Sequence, residues 1–349
     1  MGKLKVFEAF AGVRAQRMAL RNLGIDFEVV GICEIDKFAL KSYEAIHGEC
    51  NNFGDISKVN PNELPNIDLF TYSFPCQDLS IAGKKEGLKE GTRSGLLYEC
   101  EKIIEVKKPK YLLLENVKNL VGKNFKNDFD KWLNYLEGLG YKNYWKVLNA
   151  KDYGVPQNRE RVFVVSILGE HKPYKFPQPI ELNRAIKDIL EYTVDEKYYF
   201  KSATNTRLDD FLSKMAKFEG DIVTCDSTIY NPKKINIANC IAARYDAGIQ
   251  NKQSIGVAVI DRRLEEDKAR KLTPLECWRL MSFTDEDFYK AKNAGISNSQ
   301  LYKQAGNSIV VKVLEGIFKN LLIDNEQVKE ITTEEEKRKD RNMQLKWCI

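Results

Sequence analysis

A cysteine on a rigid turn directly after an apolar strand is the first feature of this sequence suited to covalent chemistry. Residues 69–74 are predicted to form a short buried strand, and Pro75 follows them. Proline fixes φ and cannot continue a β ladder, so Cys76 would be displayed at the carboxyl end of the strand. In an open α/β sheet ligands bind at that edge. A thiolate there is a candidate nucleophile, against the alternative of a small buried hydrophobe.

A carboxylate stands at the end of a second apolar strand. Residues 112–114 are three leucines that lead into Glu115. The polar, glycine-containing run 77–91 that follows the cysteine is poor material for a core. Two strand ends that carry a cysteine and a glutamate could therefore face one pocket.

Two arginines precede a third apolar strand, predicted over residues 162–168. Arg159 and Arg161 alternate along an extended segment, so both side chains could reach one phosphate or carboxylate. Taken alone, they are equally consistent with solvated surface charges.

The first strand and helix are joined by a small-residue turn. A strand over residues 5–10 is followed by Ala11 and Gly12, and then by a helical pattern over residues 16–23. Such a turn allows the backbone to approach a nucleotide-like cofactor closely, although many α/β proteins turn in this way. The next strand, 27–33, ends in Glu34.

Glu34 is placed to accept hydrogen bonds from ribose hydroxyls, or alternatively to supply a charge at the start of the next helix. Asp55 ends a third short segment, where its carboxylate could hold an exocyclic amine.

The composition indicates an ordinary globular protein. The chain has 349 residues, 43% hydrophobic and 30% charged, with a net charge of +5 that permits a polyanionic partner without requiring one. No apolar run approaches a bilayer span and no signal peptide is evident, so an intracellular, cytoplasmic protein is expected. The eight cysteines contain no Cys-x-x-Cys pair, which favours reduced thiols and no metal site.

The middle of the chain differs from both ends. Three prolines in residues 173–179 mark a linker, and residues 190–270 show short strands without strand–helix alternation. This pattern predicts a separate, mainly β subdomain. Regular patterns return near residue 270, and a helix is predicted to begin at Pro274. Residues 304–308 are predicted to open a last helix over 309–322.

Six short segments, in this order, resemble those of the DNA (cytosine-5) methyltransferases. The resemblance runs from Val6 to about Leu322 and excludes roughly 185–268. The segments are Phe10-Ala11-Gly12, Pro75-Cys76-Gln77, Glu115-Asn116-Val117, Gln157-Asn158-Arg159-Glu160-Arg161, Arg270-Lys271-Leu272-Thr273-Pro274-Leu275-Glu276 and Gly306-Asn307-Ser308.

The resemblance implies an α/β fold, with an S-adenosylmethionine-dependent methyltransferase (Rossmann-like) large domain and a small, mainly β target-recognition domain. The expected divisions are a catalytic and cofactor-binding domain at 1–185, the target-recognition domain at 186–269, a hinge at 270–300, and a C-terminal helix at 301–349 that returns to the catalytic domain.

The same resemblance assigns catalytic roles. Cys76 would attack carbon 6 of cytosine, Glu115 would bind the N3 and amino edge and offer a proton, and Arg159 and Arg161 would brace the pocket. Pro75 would hold the cysteine turn. The full catalytic set implied is Cys76, Glu115, Arg159, Arg161, Pro75, Gln77 and Asn116, with no metal.

The implied cofactor is S-adenosyl-L-methionine. Phe10 and Ile35 would cover the adenine faces, Ala11 and Gly12 would supply close-approach backbone, Glu34 would take the ribose hydroxyls, Asp55 and Ile56 the adenine edge, and Asn307 and Ser308 the methionine side. Phe10, Ile35 and Ile56 could equally be ordinary core residues. The family usually has Gly-x-Gly-Gly where this chain has Gly12-Val13-Arg14-Ala15, and Arg14 could crowd the methionine end or point outward.

The implied partner is double-stranded DNA, from which the target cytosine must be flipped. A loop over residues 80–95 would close over the DNA, and base edges would be read from the recognition domain, against the alternative of plain polar surface. The implied DNA-binding residues are Ser80, Lys84, Lys85, Lys89, Arg93, Arg244 and Tyr245. A monomer is expected, and a cognate restriction endonuclease encoded elsewhere is consistent with a chain of this size.

Three rival functions stay open. A tRNA-modifying branch of the family has the same catalytic sequence motifs. A catalytically silent DNA-binding regulator could retain the fold. A cysteine hydrolase is disfavoured because neither of the two histidines lies near a pocket motif.

Overall fold

The computed structural model describes residues 2–75, 96–200, 206–226, 232–243, 245, 256–264 and 268–324. Eight predicted site residues lie outside these ranges, namely Cys76, Gln77, Ser80, Lys84, Lys85, Lys89, Arg93 and Arg244.

The described chain begins with alternating strands and helices, as the sequence predicts. The helices are α1 (Ala15–Asn22), α2 (Lys37–His47), α3 (Leu97–Lys107), α4 (Lys126–Gly138), α5 (Thr206–Met215), α6 (Pro274–Arg279), α7 (Asp285–Asn293), α8 (Asn298–Asn307) and α9 (Val311–Phe318). The strands are β1 (Leu4–Ala9), β2 (Phe27–Cys33), β3 (Leu69–Tyr72), β4 (Tyr111–Val117), β5 (Tyr141–Asn149), β6 (Gln157–Asn158), β7 (Glu160–Leu168), β8 (Ile222–Asp226), β9 (Ala238–Asn239), β10 (Val257–Asp261) and β11 (Lys268–Lys271).

A six-stranded sheet in the order β2-β1-β3-β4-β7-β5 forms the centre of the molecule. Its first four strands in sheet order run parallel, and β7 runs antiparallel to both of its neighbours. Leu113 faces one hydrophobic core, whereas Leu112 and Leu114 face the other. Because both faces of the sheet are covered, its strands read as continuous apolar runs rather than as an alternating pattern.

The chain reverses its direction across the sheet at β1, which pairs with β2 on one side and with β3 on the other. Such a switch point leaves a crevice outside the carboxyl ends of the strands. The antiparallel β7 begins at the same edge, since Arg161 pairs with Val117 at the end of β4. The predicted functional strand ends therefore meet at one edge of the sheet.

The middle region contains the predicted short strands but is not a purely β unit. Strands β8, β10 and β11 form an antiparallel sheet, and α5 packs on it. Ala258 and Ile260 face α5, whereas Val257 and Val259 belong to the core that α6–α9 also share. Burial of β10 on both faces joins this region to the core shared with α6–α9, and the expected division into a separate subdomain stays a prediction.

Residues 270–300 contribute buried helical packing to the core. Thr273 and Glu276 make the predicted capping box at the start of α6. Arg270 forms an ion pair with Glu276 at 2.9 Å, with both side chains fully buried. Trp278 is also fully buried and donates from Nε1 to the Leu301 carbonyl at 3.0 Å. The hinge expected at these residues stays a prediction.

The predicted helix opening at residues 304–308 is also corrected. These residues end α8, and the extended backbone of Ser308 separates it from α9. Helix α9 then packs on α1, where Asn22 donates to Glu315 at 2.8 Å.

A search of the described residues for a helix long and apolar enough to cross a membrane finds none.

Gly306 is the point at which α8 touches the middle region most closely. A Cβ at this position would lie 2.3 Å from the Ala243 backbone nitrogen. We therefore expect Gly306→Ala to lower the free energy of unfolding by about 3 kcal/mol, because backbone cannot yield as a flexible side chain can. Denaturant titration of the two proteins measures this difference.

Gly138, in the last turn of α4, provides the matched control, since a Cβ there would meet nothing within 4 Å. Gly138→Ala should leave stability unchanged or raise it by about 1 kcal/mol. Equal effects of the two substitutions would contradict the close contact at Gly306.

Candidate active site at the carboxyl edge of the sheet

A cavity of about 420 Å³ opens at the carboxyl edge of the sheet. It is bordered by residues that follow β1, β2 and β3, by the end of β4, by the start of β7 and by α8. Twelve predicted site residues line it, namely Phe10, Gly12, Glu34, Ile35, Asp55, Ile56, Pro75, Glu115, Arg159, Arg161, Asn307 and Ser308. The structure therefore brings the two predicted halves of the site, catalytic and cofactor-binding, into one cavity.

Glu115 is buried at the end of β4 and pairs with Arg161, whose Nε lies 3.3 Å from Oε1. Burial raises the pKa of Glu115, because a carboxylate is poorly solvated there. Arg161, Arg159 and the Ser73 hydroxyl act in the opposite direction without cancelling the effect of burial. Glu115 can therefore hold a proton closer to neutral pH than an exposed glutamate does, as a proton donor requires.

Arg159 is 3% exposed, and it binds segments that are far away in the sequence. Its Nη1 donates to the Ile241 carbonyl at 3.0 Å, and its Nη2 donates to the carbonyls of Gly306 and Ser308 at 2.9 and 2.7 Å. Arg159 also lines the cavity. Arg159 thus joins the catalytic edge to the middle region and to α8, a role broader than the predicted bracing of the pocket.

Cys240 was not predicted as a site residue, yet it lies against both arginines. Its Sγ lies 3.1 Å from Arg159 Nη1 and 3.8 Å from Arg161 Nη2. Burial alone would raise the pKa of this thiol, but the two guanidinium groups outweigh burial and lower it. The proximity of Cys240 to the arginines depends on the pairing of β9 with β6, and no local sequence pattern predicts that pairing.

Asn116 does not line the cavity but fixes the turn before it. Its Nδ2 donates to the Phe74 carbonyl at 3.1 Å, and its Oδ1 accepts from the Val117 amide at 2.9 Å. Pro75, the next residue after that carbonyl, does line the cavity. Asn116 is therefore a positioning residue that ties the end of β4 to the turn leading into Cys76.

Glu34 is held in place at the cofactor half of the cavity. Its Oε2 accepts from the Gly12 amide and its Oε1 from the Asp36 amide, both at 2.7 Å. Each carboxylate oxygen retains a further lone pair for a ribose hydroxyl. The N-cap of α2 is Asp36, whose side chain accepts from the Phe38 and Ala39 amides.

The three apolar residues that could instead be core residues, Phe10, Ile35 and Ile56, differ in their burial. Ile35 is 78% exposed while lining the cavity, so it is not a core residue. Ile56 is 4% exposed and belongs to a hydrophobic core as well as to the lining. Phe10 is partly buried, packs against the same core, and adopts left-handed backbone with φ of 55°.

Asp55 caps a short turn and accepts from the Ser57 amide at 3.1 Å and hydroxyl at 2.8 Å. These hydrogen bonds lower the pKa of Asp55, so it is present as an acceptor-only carboxylate.

Ala11 and Arg14 depart from their expected roles. Ala11 lies outside the cavity lining, packed beside Ile32 and Tyr43, and its amide donates to the Cys33 carbonyl at 3.1 Å. Arg14 neither crowds the cavity nor points outward, because its side chain turns inward to an ion pair with Glu8 at 2.7 Å. Both expectations for Arg14 are therefore corrected.

Tyr245 was expected to read bases, and the structure corrects this. Its side chain is 9% exposed, and its hydroxyl donates to the Val257 carbonyl at 2.7 Å and accepts from the Val257 amide at 3.1 Å. A phenol whose polar tip is already paired within the core is not available to DNA.

A pair at the cavity rim was also missed. Lys303 and Asp36 lie 2.7 Å apart, and both line the cavity. Burial alone would raise the pKa of Asp36, but Lys303 and the helix amides hold it below its usual range. Lys303 lies three residues before Gly306, outside the segment that carries the resemblance. In the described ranges, no three His, Cys, Asp or Glu side chains are placed to hold a metal ion.

Known proteins resemble this chain over most of its length. The family described as C-5 cytosine-specific DNA methylase matches residues 4–322. The type II methyltransferase M2.ScrFI of Lactococcus lactis subsp. cremoris is 41% identical, covering 91% of this chain and 99% of its own length. The orphan methyltransferase M.SPBetaI of Bacillus phage SPbeta is 33% identical over 92% of this chain and 98% of its own.

Among solved structures, the S. pombe Dnmt2 methyltransferase superposes with a TM-score of 0.66 at 18% identity, covering 92% of this chain and 98% of its own. At that identity the likeness concerns the fold.

The raised pKa of Glu115 predicts a pH-dependent cost to stability. The folded protein holds a proton that the unfolded chain releases above about pH 4.5, so stability falls as pH rises from there through the raised pKa. The loss is about 1.4 kcal/mol for every pH unit between the two pKa values. Glu115→Gln removes this cost, so the variant's melting temperature relative to wild type should increase from about pH 5 to about pH 8.

Thermal denaturation across that range measures the effect, and Glu49→Gln, an exposed position, is the control that should show no trend. A relative melting temperature of Glu115→Gln that fell with rising pH would mean that attraction to Arg161 outweighs burial.

Proposed function

Because the chain belongs to the C-5 cytosine-specific DNA methylase family, we propose that it methylates carbon 5 of cytosine within a short sequence of double-stranded DNA, with Cys76 as the nucleophile. One observation carries the proposal. A buried glutamate paired with an arginine lines the same cavity as the proline that precedes Cys76 and as a set of residues suited to an adenosyl group.

The residues of the cofactor half suit S-adenosylmethionine, which when bound supplies an electrophilic methyl group. An exposed isoleucine, Ile35, offers an apolar face to adenine, and Glu34 has free lone pairs for the ribose hydroxyls. The Asp55 carboxylate is suited to the amino group of adenine. Phe10 would take the second adenine face, with Gly12 and Ile56 beside it, and Asn307 and Ser308 would close the methionine side.

The first chemical step assigned to the chain is addition of Cys76. Carbon 5 of cytosine is a weak nucleophile, so a thiolate at carbon 6 is needed to push electron density toward carbon 5. The new S–C6 bond forms as the C5–C6 double bond gives up its electron pair to the ring. Pro75 and Asn116 would hold the segment that precedes Cys76.

Glu115 would stabilise that change in the ring. A protonated carboxyl can donate to N3 as negative charge develops there, and the raised pKa of Glu115 favours this protonated form. Arg161, at 3.3 Å, would keep the carboxyl oriented. After methylation, loss of the carbon-5 proton to a base and departure of the Cys76 thiolate would restore the aromatic ring.

Recognition of DNA is proposed for the middle region, 186–269, with Arg244 as a base-contacting candidate. Phosphate contacts are proposed for Ser80, Lys84, Lys85, Lys89 and Arg93, and such contacts set affinity and salt dependence rather than sequence choice. Flipping of the cytosine is required because its carbon 6 is inaccessible within the duplex.

The proposal extends to the setting of the enzyme. A relative named a type II methyltransferase supports a separately encoded cognate restriction endonuclease, and the relative named an orphan methyltransferase supports solitary action. We also propose that the protein acts on DNA as a monomer in the cytoplasm.

The test is transfer of labelled methyl from S-adenosylmethionine to duplex DNA, followed by mapping of modified cytosines at base resolution. Wild type and Cys50→Ser, a partly buried cysteine outside the cavity lining, should label carbon 5 of cytosine in one short context. Cys76→Ser should lower the rate by at least about 10³-fold, because no covalent adduct can form.

Label in tRNA but not in duplex DNA would favour the RNA-modifying alternative. Cofactor binding with no methyl transfer to either nucleic acid would favour a silent DNA-binding protein.

Ile35 supplies a separate test of the cofactor site. We expect Ile35→Asp to weaken binding of S-adenosylhomocysteine by about 10-fold or more, because a charge would replace the apolar cover of adenine. Isothermal titration calorimetry measures this constant. Ile180→Asp changes another isoleucine, which is 59% exposed and outside the cavity, and it should bind like wild type. Equal affinity of Ile35→Asp and wild type would remove Ile35 from the site.

A further inference from the structure

The turn that borders the cofactor half of the cavity has an unusual backbone. Every second residue lies in the left-handed region, with φ of 55° at Phe10, 57° at Gly12 and 66° at Arg14. Glycine adopts this region freely, whereas phenylalanine and arginine do so at a cost. The surrounding structure must therefore hold this turn in place.

The Arg14 side chain supplies that restraint from beneath the turn. Its Nε lies 2.7 Å from Glu8 Oε1, its Nη1 donates to the Ala9 carbonyl at 3.4 Å, and its Nη2 donates to the Thr71 hydroxyl. Glu8 and Ala9 belong to β1 and Thr71 to β3, the two strands next to the switch point. The guanidinium thus fastens the turn to both strands.

Glu8 makes this pairing obligatory. Its side chain is fully buried, and its second oxygen accepts from the Tyr43 hydroxyl at 2.9 Å. That hydroxyl in turn accepts from Arg17 at 2.8 Å. A buried carboxylate that loses its cation is strongly unfavourable, so Glu8 selects for a basic residue at position 14.

The link to the cavity runs through the backbone. Gly12 and Val13 line the cavity, whereas Arg14 does not. The Gly12 amide donates to Glu34 at 2.7 Å, so the position of the turn also fixes the carboxylate proposed to hold the ribose. Displacement of Arg14 would move Gly12 and release Glu34.

We propose that Arg14 is a positioning residue for the methyl donor, which fastens the 10–14 turn to β1 and β3 through Glu8 and Thr71. Arg14 therefore supports cofactor binding in place of the glycine that the family usually has in this turn. Substitution by glycine, although it relieves the backbone, should weaken donor binding. This inference rests on the proposed cofactor.

The test uses the full-length protein with Arg14→Gly, Arg14→Lys and the double variant Arg14→Gly/Glu8→Gln. Calorimetry with S-adenosylhomocysteine should show affinity lowered at least 10-fold in Arg14→Gly and partly recovered in Arg14→Lys. The double variant removes the unpaired buried charge, so its melting temperature should recover toward wild type while its affinity stays low. Hydrogen exchange should be faster in a peptide spanning the turn.

In steady-state assays Arg14→Gly should raise KM for S-adenosylmethionine, with KM for DNA and kcat unchanged. Arg21→Ala is the matched control, since Arg21 is also on α1 and pairs with Asp287 at 2.6 Å, away from the cavity. It should lower the melting temperature without affecting cofactor affinity.

Unchanged or tighter binding by Arg14→Gly, or unchanged exchange of the turn, would overturn the inference. So would recovery of both affinity and stability in the double variant, which would reduce Arg14 to a neutralising charge. Absence of binding by wild type itself would overturn the proposed cofactor, and the two failures are therefore distinguishable.

Discussion

Hydrogen bonds from the buried guanidinium of Arg159 are the interaction that joins distant parts of this chain. A buried cation must find an acceptor for its N–H groups, and those of Arg159 are carbonyls at Ile241, Gly306 and Ser308. They come from the middle region and from the end of α8, both far from Arg159 in sequence. The close backbone approach at Gly306 completes the junction. One side chain at the cavity thus holds the start of β7, the middle region and the end of α8 together.

Within that cavity, opposing electrostatic effects are balanced on a few groups. Burial favours the protonated form of Glu115, and the neighbouring arginines favour its ionised form, with burial prevailing. At Cys240 the same two arginines prevail over burial. Cys240 differs from Glu115 in that hydrogen bonds from both guanidinium groups add to their charges. Arg159 and Arg161 therefore act on the pKa of both the Glu115 carboxyl and the Cys240 thiol at the same edge of the sheet.

The half of the cavity proposed for the cofactor is shaped by the backbone of the 10–14 turn, which buried side chains hold in place. Left-handed residues at alternate positions bring the Gly12 amide to Glu34, and buried charges beneath the turn oppose the strain that this conformation carries. Strain of this kind persists only where the surrounding packing over-determines it. The ion pair between Glu8 and Arg14, fastened between two central strands, meets that requirement.

The sequence by itself determined the family, the sheet-edge strands and most of the site. Strand β2 and the capping box of α6 follow from local periodicity and spacing, and the predicted residues at the ends of β1, β2, β4 and β7 line one cavity because these strand ends share an edge. The tertiary structure alone decided the direction of the Arg14 side chain, the burial of Tyr245 and the packing of residues 270–300 as core. Each of these depends on partners distant in the chain, such as Thr71 for Arg14, and local patterns carry no information about which distant groups the topology will bring together.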